Sequence, residues 1–213
     1  MNIILLAPIA AGKGTQSELL VKNYNMNHIS TGDLLKSVKN PELNKKIRDM
    51  IESGILVTDD IVLDVLEDYI NNTDNMNLLF DGFPRNIYQA NKLDEMLEKY
   101  NTQVDYVILL NAPKEVLADR TTGRRVCKSC GSIYNVNIDS LKPKMDNVCD
   151  KCGNELIQRN EDNLETFEIR YNTYLEQTKP LIEYYKNKSI LYEIDSTVSV
   201  EEIFEKIKKV INN

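Results

Sequence analysis

No apolar run in this sequence approaches the roughly 20 residues needed to cross a bilayer. The N-terminus, MNIILLAP, lacks the basic segment and the length of a secretory leader and reads as a buried strand. A cytoplasmic location and no membrane partner are therefore expected. Glycine and proline are scarce, eight and six among 213 residues, which excludes collagen-like and low-complexity chains. Positive charge is short, with 26 Lys and Arg against 33 Asp and Glu and a formal charge of -7. A general nucleic-acid binder needs a net basic surface, so no nucleic-acid partner is expected, although a local basic pocket is compatible. Histidine is reduced to His28, which has no partner motif and reads as a structural histidine with its hydrogen bonds satisfied. Arginine is rare as well: only Arg48, Arg85, Arg120, Arg124, Arg125, Arg159 and Arg170. A chain that uses lysine for ordinary solvated charge should keep arginine for places that need a planar fork, such as phosphate contacts.

What is present is an alternating pattern. Residues 2–6 form a continuous apolar run suited to a strand buried on both faces. Further buried strands are predicted at 77–81, 104–110 and 189–194. Helical spacing covers about 13–23, 31–38, 42–53, 59–71, 86–99, 113–121, 163–186 and 199–211. Strands separated by helices imply an α/β fold, a parallel sheet of about five strands flanked by helices. Residues 123–160 break the pattern and read as a small inserted lobe. The length suits one globular domain, expected as a monomer.

Three segments carry chemistry. Ala7-Pro8-Ile9-Ala10-Ala11-Gly12-Lys13-Gly14-Thr15 lies between a strand and a helix. In that position backbone N–H groups and a helix N-terminus face an anion, and a lysine reaches its outer oxygens. The match to the phosphate-loop pattern is imperfect, with Ala7 where glycine is expected and Gly14 where Ser or Thr is expected. An ordinary strand–turn–helix with a surface lysine is the plainer alternative. Next, Cys127-x-x-Cys130 and Cys149-x-x-Cys152 are separated by eighteen residues. Paired knuckles at this spacing predict zinc, or iron in the same cage, and four thiolates leave no open position for catalysis. Disulfides are disfavoured in a chain without an export signal. Finally, Arg85 follows a strand in Asp81-Gly82-Phe83-Pro84-Arg85, while the later arginines flank the cysteine lobe. At the C-terminal edge of a parallel sheet such a group would clamp phosphoryl oxygens; surface pairing with Glu161, Asp162 and Glu165 is the alternative.

Together, Gly12-Lys13-Gly14-Thr15-Gln16, His28-Ile29-Ser30-Thr31-Gly32-Asp33-Leu34-Leu35, Asp81-Gly82-Phe83-Pro84-Arg85 and Gly123-Arg124-Arg125 resemble the adenylate kinase family over the whole chain. The long inserted lobe is similar to the long-lid bacterial type, many of which carry zinc. The resemblance implies a P-loop kinase-like sheet, with a core of 1–29, 60–122 and 163–213, a small helical AMP-binding lobe at 30–59, and a zinc-ribbon-like lid at 123–162. It implies transfer of the γ-phosphoryl group of MgATP to AMP, giving two ADP. Lys13, Arg85, Arg124, Arg159 and Arg170 would act on the transferring phosphates. Gly12, Lys13, Gly14, Thr15, Arg120 and Arg124 would bind ATP. Thr31, Lys36, Val57, Gly82, Arg85, Gln89, Arg159 and Arg170 would bind AMP. Asp33 and Asp81 would hold waters around Mg²⁺. Cys127, Cys130, Cys149 and Cys152 would hold a structural Zn²⁺.

Three departures from the family pattern carry expectations. Glycine is absent at 7 and 10, and an alanine at positive φ costs on the order of 1 kcal/mol or more. Lys36 replaces an arginine, so the AMP phosphate loses a fork. Ser196 stands where glycine is common near the ATP base. A kinase for UMP or CMP, and a catalytically weakened zinc-ribbon binding protein, are the competing functions.

Overall fold

The computed structural model describes residues 1–53, 57–72 and 77–212. Along the chain the described strands are β1 (Ile3–Leu6), β2 (Asn27–Ser30), β3 (Leu78–Asp81), β4 (Tyr106–Asn111), β5 (Arg124–Cys127), β6 (Ile133–Asn135), β7 (Leu156–Ile157) and β8 (Leu191–Asp195). The helices are α1 (Lys13–Tyr24), α2 (Thr31–Lys36), α3 (Pro41–Glu52), α4 (Asp59–Asn71), α5 (Ile87–Glu98), α6 (Lys114–Gly123), α7 (Leu164–Thr173), α8 (Pro180–Asn187) and α9 (Val200–Ile211). Five strands form one parallel sheet in the order β2-β3-β1-β4-β8. The expected α/β architecture is thus present.

The sheet is buried on both faces because its strands alternate apolar side chains. Ile4, Leu6, Leu78, Phe80, Val107 and Leu109 pack on one face with α4, α5 and α8. Ile3, Leu5, Leu79, Ile108 and Leu110 pack on the other with Leu20 of α1 and Ile203, Phe204 and Ile207 of α9. Each such side chain, fully buried, contributes about 1.5–3 kcal/mol. Helix starts are set locally. The Asn40, Asn86 and Asn163 side chains accept N–H groups of the first turns of α3, α5 and α7, and Ser199 with Glu202 forms a reciprocal capping box at α9.

The cysteine segment builds a separate antiparallel sheet, β6-β5-β7, between α6 and α7. Its own buried cluster is only Cys127, Cys149 and Leu156, with Tyr134 against it.

Two of the differences from the expected elements have clear local causes. The strand expected at 104–110 begins at Tyr106, because Asp105 is engaged beforehand with Asn2: Asn2 N–H donates to Asp105 Oδ2 at 2.6 Å, and Asp105 N–H to Asn2 C=O at 2.9 Å. The single helix expected over 163–186 is interrupted by a wide turn at Tyr174–Thr178. Pro180 has no N–H to donate, and Lys179 N–H reaches back five residues to Tyr174 C=O at 2.8 Å. Of the expected segments, residues 54–56 in the lobe, 73–76 in the core and Asn213 lie outside the described residues.

Candidate active site

Parallel pairing brings the ends of β1, β2 and β3 level at one edge: Leu5 opposes Asp81, and Asp81 opposes Ser30. The loop after β1 therefore leaves beside Asp81. Gly12 caps α1 at φ 92, a conformation that suits glycine, and α1 has neither a side-chain cap nor an acidic residue in its first turn. The positive end of a twelve-residue helix is thus left uncompensated by protein, an arrangement that favours an anion.

Of the two alanines singled out in this loop, Ala10 has φ 62 and carries the expected strain; Ala7 is not at positive φ. Buried Ser196 occupies its glycine-like position by bonding to Asn111 C=O through both N–H, at 2.8 Å, and Oγ, at 2.9 Å.

Lys13 is ion-paired to Asp81 Oδ1. The other oxygen, Oδ2, accepts from Ser17 Oγ at 3.1 Å and lies 3.0 Å from His28 Nε2. Burial alone would raise the Asp81 carboxyl. The Lys13 ammonium and the His28 bond outweigh it and hold the group well below the usual carboxylate range. His28 does have a partner, then, and it is part of the lysine–aspartate network. Asp33, by contrast, is exposed on α2.

Beyond Asp81 the chain turns through Gly82 at φ 85. Arg85 Nε bonds back to Gly82 C=O at 2.9 Å, and Arg85 N–H donates to Gln89 Oε1 at 2.8 Å. One cleft of about 160 Å³ is lined by Thr31, Lys36, Val57, Gly82, Arg85, Gln89, Arg159 and Arg170, all eight residues expected around AMP, together with Gly32, Leu35, Ile51, Val62 and Glu161. Burial pulls down the Arg85 guanidinium and Asp81 partly restores it. Burial also lowers Arg170, and repulsion from Arg124 and Arg85 adds to the effect, against Glu161 and Asp162. Several cations converge with few acids to neutralise them. Arginine stays protonated throughout, so the cleft is electropositive inside an acidic protein.

The remaining arginines divide. Arg124, at the root of β5, grips the fully buried Asp162 through Nε at 2.8 Å and through Nη2. Arg124 thus pairs with one of the acids named as the alternative, but the pair is largely buried and not at the surface, and Asp162 closes the cysteine lobe where it rejoins the core. Arg125 turns back to the carbonyls of Thr122 and Arg124, at 3.1 and 2.8 Å. Arg48 bonds Asn44 Oδ1 at 2.7 Å on the exposed face of α3. Arg120, on α6, is lowered by burial and opposed by Asp195 at the end of β8. Of the other residues expected at ATP, Gly14 and Thr15 lie in the first turn of α1.

The four cysteine sulfurs lie within 4.8 Å of one another. Cys127 and Cys152 are 3.4 Å apart, Cys130 and Cys149 3.6 Å, and Cys130 and Cys152 3.5 Å. A tetrahedron with metal–sulfur bonds of about 2.3 Å has edges of about 3.8 Å, so the cage fits a zinc-sized ion. Three polar side chains touch these sulfurs from outside. Ser132 Oγ is 3.1 Å from Cys130, Tyr134 Oη 3.5 Å from Cys149, and Asn154 Nδ2 3.4 Å from Cys152.

A parallel sheet with a lysine-bearing loop and an electropositive cleft at its edge defines a nucleotide-binding α/β protein of the P-loop kinase class. A family model described as adenylate kinase matches residues 5–190. An adenylate kinase of Caldanaerobacter subterraneus subsp. tengcongensis is 44% identical over 214 residues, covering 99% of this chain and 96% of that one. One from Clostridium tetani is 43% identical over 99% of this chain and 98% of its own, and one from Archaeoglobus fulgidus 41% over the same shares. The chain belongs to the adenylate kinase family.

Among the residues missed by sequence reasoning, Ser17 and Asp59 have the clearest structural parts. Ser17 follows Lys13 by one helical turn, a spacing that could have signalled its reach to Asp81. Asp59 sits in the first turn of α4, where an acidic residue usually needs no further explanation.

Proposed function

We propose that this chain transfers the γ-phosphoryl group of ATP to AMP, forming two ADP. The observation that carries the reading is one electropositive cleft lined by all eight residues expected around AMP. Phosphoryl transfer asks little covalent chemistry of a protein: the attacking group is an oxygen of the AMP phosphate, already ionised, so no general base is required. The work is positioning and charge neutralisation.

Arg85, Lys36, Arg159 and Arg170 hold the AMP phosphate and meet charge developing on the transferring group. Thr31, Val57, Gly82 and Gln89 surround the base. Gly12, Lys13, Gly14 and Thr15 wrap the ATP phosphates against the end of α1, with Arg120 beside its base and Arg124 closing from the lid side. Lys13 is held by Asp81. An arriving phosphate competes for its ammonium, and the released Asp81 carboxylate becomes available. Asp33 and Asp81 would hold Mg²⁺ through waters, and the ion would supply charge neutralisation on the ATP phosphates. Cys127, Cys130, Cys149 and Cys152 would hold a zinc ion that braces the lid and takes no part in the transfer.

The same reading divides the chain into a core, an AMP lobe at 30–59 and a lid at 123–162 that excludes water from the γ-phosphate. It includes a monomeric, cytoplasmic enzyme with no nucleic-acid or membrane partner; among the described residues no helix is long and apolar enough to cross a membrane. A coupled assay of ADP formation from ATP with AMP, UMP, CMP or GMP tests it. AMP should be used at least tenfold more efficiently than the others. Equal use of UMP or CMP, or ATP hydrolysis without an acceptor, would overturn the reading.

A further inference from the structure

The geometry points to Asp59 as the positioning residue that fixes base choice, by holding the Gln89 side-chain amide in one orientation. This rests on the assignment of the cleft to AMP. Gln89 is 2% exposed and stands in the first turn of α5, in the cleft wall. Its Oε1 accepts Arg85 N–H at 2.8 Å, and its Nε2 donates to Asp59 Oδ1 at 2.7 Å. The same carboxylate accepts Asn86 Nδ2, 3.0 Å from Oδ1 and 3.2 Å from Oδ2. Asn86 Oδ1 in turn accepts Gln89 N–H at 2.8 Å. A backbone N–H can only donate and a carboxylate can only accept, so the two contacts agree on which end of the amide is which. Turning the amide over would set its carbonyl against the carboxylate and its NH₂ against an N–H, losing two bonds in a buried site. Asp59 is itself well placed for its charge, at the N-terminus of α4.

With those bonds made, the amide has one N–H on Nε2 and one lone pair on Oε1 left without a partner among the described residues. A donor and an acceptor side by side complement a base edge that offers a ring-nitrogen acceptor next to an amino donor. Adenine has that edge, at N1 and N6. Hypoxanthine, guanine and uracil present the reverse, a ring N–H beside a carbonyl oxygen. Cytosine shares the polarity of adenine, so Asp59 separates AMP and CMP from IMP, GMP and UMP, and the reach across the cleft separates the purine from the pyrimidine.

The test is the ratio of kcat/KM for AMP to that for IMP, in the parent and in Asp59→Asn. IMP alters only the 6-position and the N1 proton. Asparagine keeps the shape of aspartate but can accept or donate, so one of the two contacts that fix the Gln89 amide no longer does so, and only Arg85 N–H opposes its turning. The ratio should fall by about tenfold or more, with part of the fall coming from faster use of IMP, while the KM for MgATP stays as in the parent. A merely structural Asp59 would weaken AMP and IMP alike. An unchanged ratio therefore overturns the proposal. If Asp59→Asn does not fold, Asp59→Ser, whose hydroxyl also donates and accepts, supplies the same reading. Gln89→Ala separates the two claims. If it leaves the AMP-to-IMP ratio untouched, or if the parent uses IMP as well as AMP, the assignment of the cleft to AMP has failed, and the role of Asp59 fails with it.

Discussion

The central sheet and the cysteine lobe are held together by different physics. The sheet buries Ile, Leu, Val and Phe side chains on both faces, and covering helices add to each cluster, among them α4, α5 and α8 on one face and α1 and α9 on the other. The lobe has three short antiparallel strands and buries Cys127, Cys149 and Leu156. At about 2 kcal/mol per buried side chain, the sheet can offset its ordering entropy and the lobe cannot. A metal on the four clustered thiols would close that gap, since its binding free energy would be available only when the lobe is folded. On the proposed reading, catalytic positioning rests on the sheet edge, while the lobe would be braced by an ion and is joined to the core through Arg124 and Asp162.

The sharpest way to separate the two regions is to remove the charge at the loop. Lys13→Met should lower kcat by at least about a hundredfold, a loss typical of one preorganised contact to a transferring group. Circular dichroism should be unchanged, because the sheet does not depend on Lys13. Activity within twofold of the parent would break the link between the loop and the transfer. Cys130→Ser should do the reverse. Metal content by atomic emission should fall well below one ion per chain, and the lobe should become protease-sensitive, while the sheet keeps its far-ultraviolet signal.

A pH series examines the core alone. The Asp81 pKa is depressed in the folded state, so its contribution to stability is fully present above the unfolded value of about 4 and is lost as pH falls through the lower folded value. Urea unfolding between pH 5 and pH 2 should show a steeper loss in the parent than in Asp81→Asn; parallel curves would contradict the pairing with Lys13 and His28. Lys36→Arg should lower the AMP KM by roughly tenfold, the worth of one added charge-assisted bond of about 1.5 kcal/mol, with the ATP KM unmoved. The smallest effect is expected from Ala10→Gly. It relieves φ 62 at a cost in unfolded-chain entropy, for a net gain of about 0.5 kcal/mol in denaturant unfolding.

Much of this contrast is legible in the residues. The run Asn2–Leu6 and its counterparts at 78–80 and 107–110 announce strands buried on both faces, because nothing polar interrupts them. The cysteine spacing announces four sulfurs within 4.8 Å of one another, and the glycine–lysine segment announces the turn from β1 into α1. What is not legible depends on pairs far apart in the chain. Nothing local to His28 says that Asp81 lies across β2 and β3, 53 residues on. Nothing near Gln89 points to Asp59, and nothing near Arg124 says that Asp162 fills its fork. The wide turn at 174–178 escapes for another reason: helical spacing continues through it, and only the missing N–H of Pro180 marks the break.

Amide hydrogen exchange of the chain before and after chelation tests the central contrast most directly. With metal removed, the amides of β5, β6 and β7 should lose protection by orders of magnitude, while those of β1, β3 and β4 keep theirs. Equal loss across both sheets, or unchanged protection in the lobe, would contradict a lid that is folded by its metal on a core that is folded by its packing.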